Sequence, residues 1–304
     1  MRSFEEEPLP VKIAYWVIFV ALVVMFMFPL IEKLISLYPP RQSLIETIIG
    51  TFIAAAAGTY GAQVVIEKTK NKEMLIEEIR NTNAAIMLAF DACNTFLSLK
   101  KQHVKSLEET YAAQLNTIGN LPAPPPGYQT LIDLQLDFRS LMPMVIPADL
   151  LQKTVYEKIS LSGRPLSLII ALIRAKETLN HCIENRNKFI TDFKSNPAQN
   201  EEGHADRMAL YLGIPNREGH VDTSYSDALK GIVNSTDDCI QFSKWLCEDL
   251  SQHGLSISKR FGKDAPKVHK PDFSLAANNG LMPDIASYKD WETAFPKQKY
   301  QDNT

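Results

Sequence analysis

The stretch that decides the fold is residues 43–118. Residues 43–66 read SLIETIIGTFIAAAAGTYGAQVVI, and residues 67–118 read EKTKNKEMLIEEIRNTNAAIMLAFDACNTFLSLKKQHVKSLEETYAAQLNTI. The stretch holds no proline, and no glycine follows Gly61, so neither of the residues that most often interrupt helices stands in its second part. The sequence therefore predicts one long helix whose first part is apolar and whose second part is charged.

An uncharged run precedes this stretch. Residues 13–31 contain no Asp, Glu, Lys or Arg, and at about 1.5 Å per residue the run covers a hydrocarbon core of roughly 30 Å. Tyr15 and Trp16 lie near one end, where amphipathic rings favour the lipid headgroups. The acidic residues 5–7 argue against a cleaved signal peptide. We expect an N-terminal tail over residues 1–12 and a retained transmembrane helix over residues 13–35.

A second, less hydrophobic span is predicted over residues 43–66. Pro39 and Pro40 end the first helix and favour a tight turn before it. Its most informative feature is a row of small residues spaced by four, and in lipid such a face lets another helix approach closely. The row consists of Gly50, Ala54, Gly58 and Ala62. Its partner is either the first span or another copy of the chain, which makes a homo-oligomer one prediction.

The distribution of basic residues predicts the topology. Lys68, Lys70 and Lys72 follow the second span and Lys12 precedes the first, whereas the connector holds only Lys33 and Arg41. Basic residues collect on the cytoplasmic side of membrane helices. We therefore expect both termini in the cytoplasm. The four cysteines contain no C-x-x-C pair, which indicates buried thiols in a reducing compartment.

The predicted cytoplasmic part, residues 67–254, is a helical bundle. Apolar residues recur at alternating spacings of three and four along residues 76–118, but Asn83 and Lys100 interrupt the stripe. These polar positions favour a bundle over a dimeric coiled coil. Further helices are expected over residues 150–161, 165–194 and 226–253, with Gly254 as the last stop signal.

The intervening segments read as connectors. Residues 131–142 alternate between apolar and polar, but no second strand-like stretch exists, so we expect a helix or an irregular packed segment. Residues 195–223 read as a long loop with a helical turn around residues 207–212. Residues 255–304 form either an arm along the domain or a partly disordered tail.

The sequence contains no recognised catalytic or metal-binding motif. It has no H-x-x-x-H pair, no glycine-rich phosphate loop and no G-x-S-x-G turn. The net charge of −3 gives no basic footprint for nucleic acid. We therefore expect no enzyme, cofactor, metal or nucleic-acid partner. A candidate polar network consists of Glu184, Arg186 and Asn187, and a dispersed catalytic site around it is the weakest of three hypotheses.

Several short motifs resemble a known architecture. They are Gly50 and Gly58 in the hairpin, 99-LKKQ-102, 121-LP-122, 136-LxFxxL-141 and 185-NRN-187. In this order they are similar to a group of uncharacterised bacterial inner-membrane proteins with a two-helix hairpin and a cytoplasmic helical domain. The resemblance implies an all-α, inner-membrane protein that contacts the lipid bilayer. Two functions follow: a non-enzymatic scaffold or sensor that binds a protein partner, or a membrane-perturbing effector of a phage-defence system of the abortive-infection or retron type.

Overall fold

The computed structural model describes Pro29, Lys33 and residues 42–120, 136–197 and 201–297. Every secondary-structure element within these ranges is helical, so the predicted all-α class is confirmed. The first predicted span, residues 13–35, lies outside the described residues apart from Pro29 and Lys33. The chain divides into two compact units, Met1–Asn71 and Lys72–Thr304.

The described helices follow one another along the chain without a strand between them. In chain order they are α1 Gln42–Leu99, a π-helical turn Lys100–Val104, α2 Lys105–Gly119, α3 Ala148–Lys158, α4 Arg164–Ser195, α5 Glu201–Leu212, α6 Ser224–Phe261, α7 Ser274–Asn278, a 3-10 turn Ile285–Tyr288 and α8 Lys289–Ala294. The stretch predicted as one long helix, residues 43–118, is helical throughout, but the π-helical turn at Lys100–Val104 divides it into α1 and α2. None of the helices in the described ranges combines the length and the apolar character that a membrane crossing requires.

In the first unit, α1 presents an exposed apolar surface. Phe52 is 73% exposed, Ile53 63%, and Ile66 66%. An added Cβ at Gly50 or Gly58 would meet nothing within 4 Å. The small-residue row is therefore open in the described part of this unit.

The core of the second unit is built around α4 and α6, which form its most extensive helix pair. Trp245 of α6 is 1% exposed, and Ile183 of α4 is fully buried. The second part of α1 adds Ile86, whose carbonyl oxygen lies 3.7 Å from the Cys247 sulfur. The apolar stripes predicted on these three helices therefore meet in one core. Cys93, Cys239 and Cys247 are buried free thiols, and Cys182 is half-buried.

Two helix boundaries differ from the prediction. Residues 201–212 form a full helix, α5, rather than a single turn. The last long helix, α6, continues through Gly254 to Phe261. Gly254 is not a stop signal because it serves a close contact instead: an added Cβ there would lie 2.8 Å from Val268 Cγ1 and 3.3 Å from Thr82 Cγ2.

Residues 262–297, which we name the C-terminal arm, follow α6 and pack back on the bundle. Asn83 of α1 donates from Nδ2 to the Lys267 carbonyl at 2.8 Å and accepts the His269 N–H at 2.9 Å. Ser251 of α6 donates to the His269 carbonyl at 3.0 Å. One of the polar residues that interrupts the apolar stripe thus holds the main chain of the arm.

Candidate functional site

One face of α4 holds the main chain of a non-helical segment, residues 136–147, which we name the strap. The amide of Asn187 accepts the Leu141 N–H at 3.0 Å and donates to the Leu141 carbonyl at 2.7 Å. The amide of Asn180 makes the same two bonds with Met144, at 2.7 and 3.1 Å. Each asparagine therefore satisfies both main-chain groups of one strap residue.

Lys194 adds a third contact, and the spacing of the three follows from backbone geometry. Its Nζ donates to the Phe138 carbonyl at 3.1 Å. Asn180, Asn187 and Lys194 stand seven residues apart, and their strap partners stand three residues apart. Seven residues of α-helix rise about 10.5 Å and three extended residues span about 10 Å, so helix and strap stay in register while running in opposite directions.

Arg186 anchors the same segment from inside the bundle. It is fully buried, and its guanidinium donates to the Arg139 carbonyl at 2.8 Å and to the Asp137 carbonyl at 3.1 Å. The guanidinium also lies 5.6 Å from the centre of the Tyr225 ring. Within the described residues, its Nε has no hydrogen-bond partner. Carbonyl dipoles and an aromatic face thus surround this buried cation.

The structure separates the three residues of the predicted polar network. Arg186 and Asn187 both hold the strap, whereas Glu184 is exposed. Asn180 and Lys194 complete the site and were absent from the predicted set. The available signal was the repeat of polar residues every seven positions, which marks one helical face.

A second polar cluster ties three segments of the bundle together. Glu78 of α1 accepts the Ser160 N–H at 3.0 Å, the Ser160 hydroxyl, and the Nε2–H of His253 at 3.1 Å. Burial raises the pKa of Glu78, but the hydrogen bonds from Ser160 and His253 outweigh it and leave the pKa below its usual value. Burial lowers the pKa of His253, which Glu78 opposes only in part. The carboxylate lies between serine and histidine and fixes the loop after α3 to α1 and α6.

The other polar interruption of the apolar stripe forms an ion pair. Lys100 begins the π-helical turn after α1, is 9% exposed, and lies 2.5 Å from Asp237 Oδ1 of α6. A π-helical turn changes which side of the helix a residue faces. The charge is therefore buried with a carboxylate partner rather than left alone in the core.

A groove of about 740 Å³ lies beside α4, α5 and the start of α6. Phe189, Leu210, Asp192 and Asp227 are among the residues that line it. Arg207 also lines the groove, and its guanidinium lies 4.0 Å from the centre of the Phe193 ring and donates to the Phe193 carbonyl. A cation at the last carbonyls of α4 offsets the helix dipole, so Arg207 has a structural role.

Comparisons of the chain with family models, with curated proteins and with solved structures found no match. The function is therefore inferred from the contacts within the described residues. What the α4 site does chemically is hold a polypeptide backbone: each hydrogen bond described on it joins a side chain of α4 to a carbonyl or an N–H of the strap. Among the described residues, no three His, Cys, Asp or Glu side chains are grouped for a metal ion.

Proposed function

We propose that the protein is a membrane-anchored, non-enzymatic scaffold or sensor whose cytoplasmic helical bundle binds a protein partner. The observation that carries the proposal is the exposed apolar surface of α1 between Thr47 and Ile66, where Phe52 is 73% and Val65 is 63% exposed. Contiguous exposed apolar surface of this kind marks contact with lipid or with another protein. In this proposal the anchor sits in the bacterial inner membrane with both termini in the cytoplasm.

The polar side chains of this segment suit a lipid environment. Residues 47–66 hold no charge, and at about 1.5 Å per residue they extend roughly 30 Å. The hydroxyl of Thr51 donates to the Thr47 carbonyl at 2.7 Å, and that of Thr59 donates to the Ala55 carbonyl at 2.8 Å. Both hydroxyl protons are therefore satisfied within the helix, as lipid requires.

The segment has lower hydropathy than a typical membrane span, and we assign it a neighbour for that reason. The uncharged run 13–31 supplies the principal anchor. The row Gly50, Ala54, Gly58 and Ala62 lets α1 pack closely against that run or against a second copy, and close packing offsets the weaker attraction of α1 for lipid. A helix that is marginal alone is thus stabilised as half of a pair.

Charge substitutions on α1 test this assignment. We expect the double variant Phe52→Asp, Ile53→Asp to leave α1 outside the membrane, so that a reporter fused to the C-terminus lies on the opposite side of the membrane from the wild type, or to be degraded, because each carboxylate costs about 2.5–3.5 kcal/mol at a helix centre in the membrane. Met87→Asp is the matched control, since Met87 is a 50% exposed apolar residue of the same helix within the second unit. The same reporter side and equal protein amounts in the two variants would contradict the membrane assignment of α1.

The partner-binding part of the proposal is supported by the way the bundle contacts polypeptide. Asn83 and Asn187 each use both groups of the side-chain amide to hold main chain, Asn83 in the C-terminal arm and Asn187 in the strap. Chemical crosslinking in cells, followed by purification in detergent, should recover one protein in stoichiometric amounts. Recovery of the chain alone under crosslinking would argue against a scaffold.

One observation favours the alternative function, a membrane-perturbing effector of a phage-defence system. The small-residue row is open, with nothing within 4 Å of an added Cβ at Gly50 or Gly58, so several copies have room to pack there. Expression should then depolarise cells, and Gly58→Leu should abolish the effect. Ala56→Leu is the control, because Ala56 is exposed and lies on the opposite face of α1 from the row. Unchanged membrane potential on expression of the wild type would discard this alternative.

A further inference from the structure

The last part of the C-terminal arm, residues 288–297, covers an aromatic surface of α6. The indole of Trp291 stacks on that of Trp245, with ring centres 5.1 Å apart and planes 20° apart. Tyr288 contacts Trp245 edge to face at 5.6 Å and donates its hydroxyl proton to Asp238 at 2.9 Å. Lys297 closes the end with a contact of 3.2 Å to Glu248. The arm is therefore held here by side chains rather than by main-chain hydrogen bonds.

This part of the arm covers a buried ion pair that it does not satisfy. Arg164 of α4 is 3% exposed, and its guanidinium lies 4.9 Å from the Trp245 ring and 5.6 Å from the Trp291 ring. Its Nε lies 3.2 Å from Asp249 Oδ2, but the two atoms lack hydrogen-bond geometry. Within the described residues, Arg164 Nε, Arg164 Nη2 and Asp249 Oδ2 have no hydrogen-bond partner.

Unsatisfied buried polar atoms weaken the closed arrangement. Each such group has given up its water without gaining a protein partner, whereas water or another ligand would bond it. The favourable aromatic stack and the unfavourable polar layer lie in the same interface. The unsatisfied atoms therefore destabilise the state in which residues 288–297 cover α6. When these residues leave, water can form hydrogen bonds with Arg164 and Asp249.

We infer that residues 288–297 are a releasable latch over a protein-interaction surface formed by Phe242, Trp245 and Arg164. The inference rests on the proposed partner-binding function. Tryptophan and arginine are the residue types that dominate binding energy at protein interfaces. The partner segment fitting this surface presents an aromatic ring to Trp245 and an adjacent amide, whose carbonyl accepts from Arg164 and whose N–H donates to Asp249.

The groups that face Asp249 give the latch a pH dependence. Burial raises the pKa of Asp249 to about 6, Arg164 and Lys297 lower it in part, and Glu248 raises it. On release the carboxyl returns toward its ordinary value of 3.8. The closed state then binds more protons than the open state between these values, so closure is favoured at low pH and weakened as pH rises through 6.

Asp238, on the same covered face, acts in the same direction. Burial raises its pKa, the Tyr288 hydroxyl lowers it in part, and Asp237 raises it. Asp237 itself lies 2.5 Å from Lys100 Nζ. For Asp249 alone, a closed-state pKa of about 6 against 3.8 implies that the opening equilibrium constant rises about fourfold from pH 5.5 to 7.5.

Hydrogen exchange on the full chain in detergent measures the opening. After correction for intrinsic rates, protection of amides in residues 289–297 should fall about fourfold or more between pH 5.5 and 7.5. Asp249→Asn should remove the part of the change that Asp249 supplies, while the amides of α4 keep their protection and show that the bundle is folded. Equal pH dependence in wild type and Asp249→Asn, or opening only together with the α6 core, would overturn the latch.

A peptide of residues 286–297 tests the surface. It should bind the full-length Trp291→Ala variant at least tenfold more tightly than the wild type, and the added change Trp245→Ala should abolish binding. Leu275→Ala, at a 74% exposed position of the arm outside the latch, is the control that should stay close to wild type. Equal binding to all variants would overturn the interaction surface. Because neither measurement uses a cellular partner, a failed crosslinking experiment would reject the proposed function and leave the latch standing.

Discussion

The strap and the C-terminal arm are both non-core segments held on the bundle, but different chemistry holds them. Asn180, Asn187 and Lys194 grip the strap by its carbonyl and N–H groups. The last part of the arm is held by the Trp291 ring and by charged side chains. The difference matters because main-chain contacts do not depend on the sequence of the bound segment. The strap is held through its main chain at every third residue, whereas residues 288–297 of the arm are held through their side chains.

The comparison assigns different tasks to the two segments. Met142 and Val145 of the strap are 82% and 85% exposed, while Leu141 is 5% exposed and the Phe138 ring lies 5.1 Å from the Phe193 ring, so core contacts add to the main-chain hold on the strap. A segment secured every third residue behaves as part of the bundle. The end of the arm is secured by a few large side chains over an unsatisfied ion pair, and this arrangement suits a segment that leaves and returns.

The largest effect should come from removing the buried cation that anchors the strap. Arg186→Ala leaves a cavity and strips the Arg139 and Asp137 carbonyls of their donors. We expect the free energy of unfolding, measured by urea titration in detergent, to fall by about 3 kcal/mol. Arg174→Ala, at an exposed position of the same helix, should change it by less than about 0.5 kcal/mol. A loss no larger than that of the control would remove Arg186 as the anchor of the strap.

An intermediate effect is expected where the arm approaches α6 most closely. Gly254→Ala adds helix propensity of about 1 kcal/mol, but the new Cβ would lie 2.8 Å from Val268 Cγ1. Because Val268 is 7% exposed and has little room, we expect a net loss of about 1–2 kcal/mol in the same titration. In a Val268→Ala background the same change should become neutral or stabilising. Equal effects in the two backgrounds would show that the contact does not explain Gly254.

The long helices are the part of this fold that the sequence predicts well. Apolar residues at spacings of three and four, with Pro165 at the second position of α4, place α1, α4 and α6 correctly. Gly254 misled the prediction because a glycine ends a helix in one context and admits a neighbouring side chain in another. The local sequence does not distinguish these two roles of a glycine, because Val268 belongs to a later segment of the chain.

The site was predicted only in part for a related reason. Arg186 and Asn187 stand out as polar residues within an apolar helix, but what they bind is main chain. A carbonyl or an N–H belongs to every residue, so these hydrogen bonds leave no signature in the side chains of the strap. Glu184, two residues before Arg186, is exposed. Predicting this requires the orientation of α4, which only packing fixes.

An effect of similar size is expected when one of the asparagine contacts between α4 and the strap is removed. Asn187→Ala leaves the Leu141 N–H and carbonyl without their partner, and we expect a loss of about 1–2 kcal/mol in unfolding free energy. Asn185→Ala is the matched control, because that exposed amide bonds only the His181 ring among the contacts described here, at 3.1 Å. Faster hydrogen exchange confined to residues 138–145 would show that the rung holds the strap. No difference between the two variants would mean that the remaining contacts of α4 suffice to hold the strap.

The smallest effect separates the two regions by the sign of their pH dependence. Folding lowers the pKa of Glu78 below its ordinary value of 4.5, so the stability that Glu78 contributes is complete above that pH and is lost as pH falls through the folded value. The lowered pKa of His253 acts in the same direction, because stability is lost as pH falls below 6.5 and the buried imidazole takes up a proton. The loop at Ser160 should therefore loosen in acid, where protonation of Asp249 tightens the arm. In hydrogen exchange, residues 159–162 should lose protection from pH 7 to 5 while residues 289–297 gain it, and His253→Gln should remove only the first change. A common direction in both segments would show that global stability, rather than these local groups, sets their pH response.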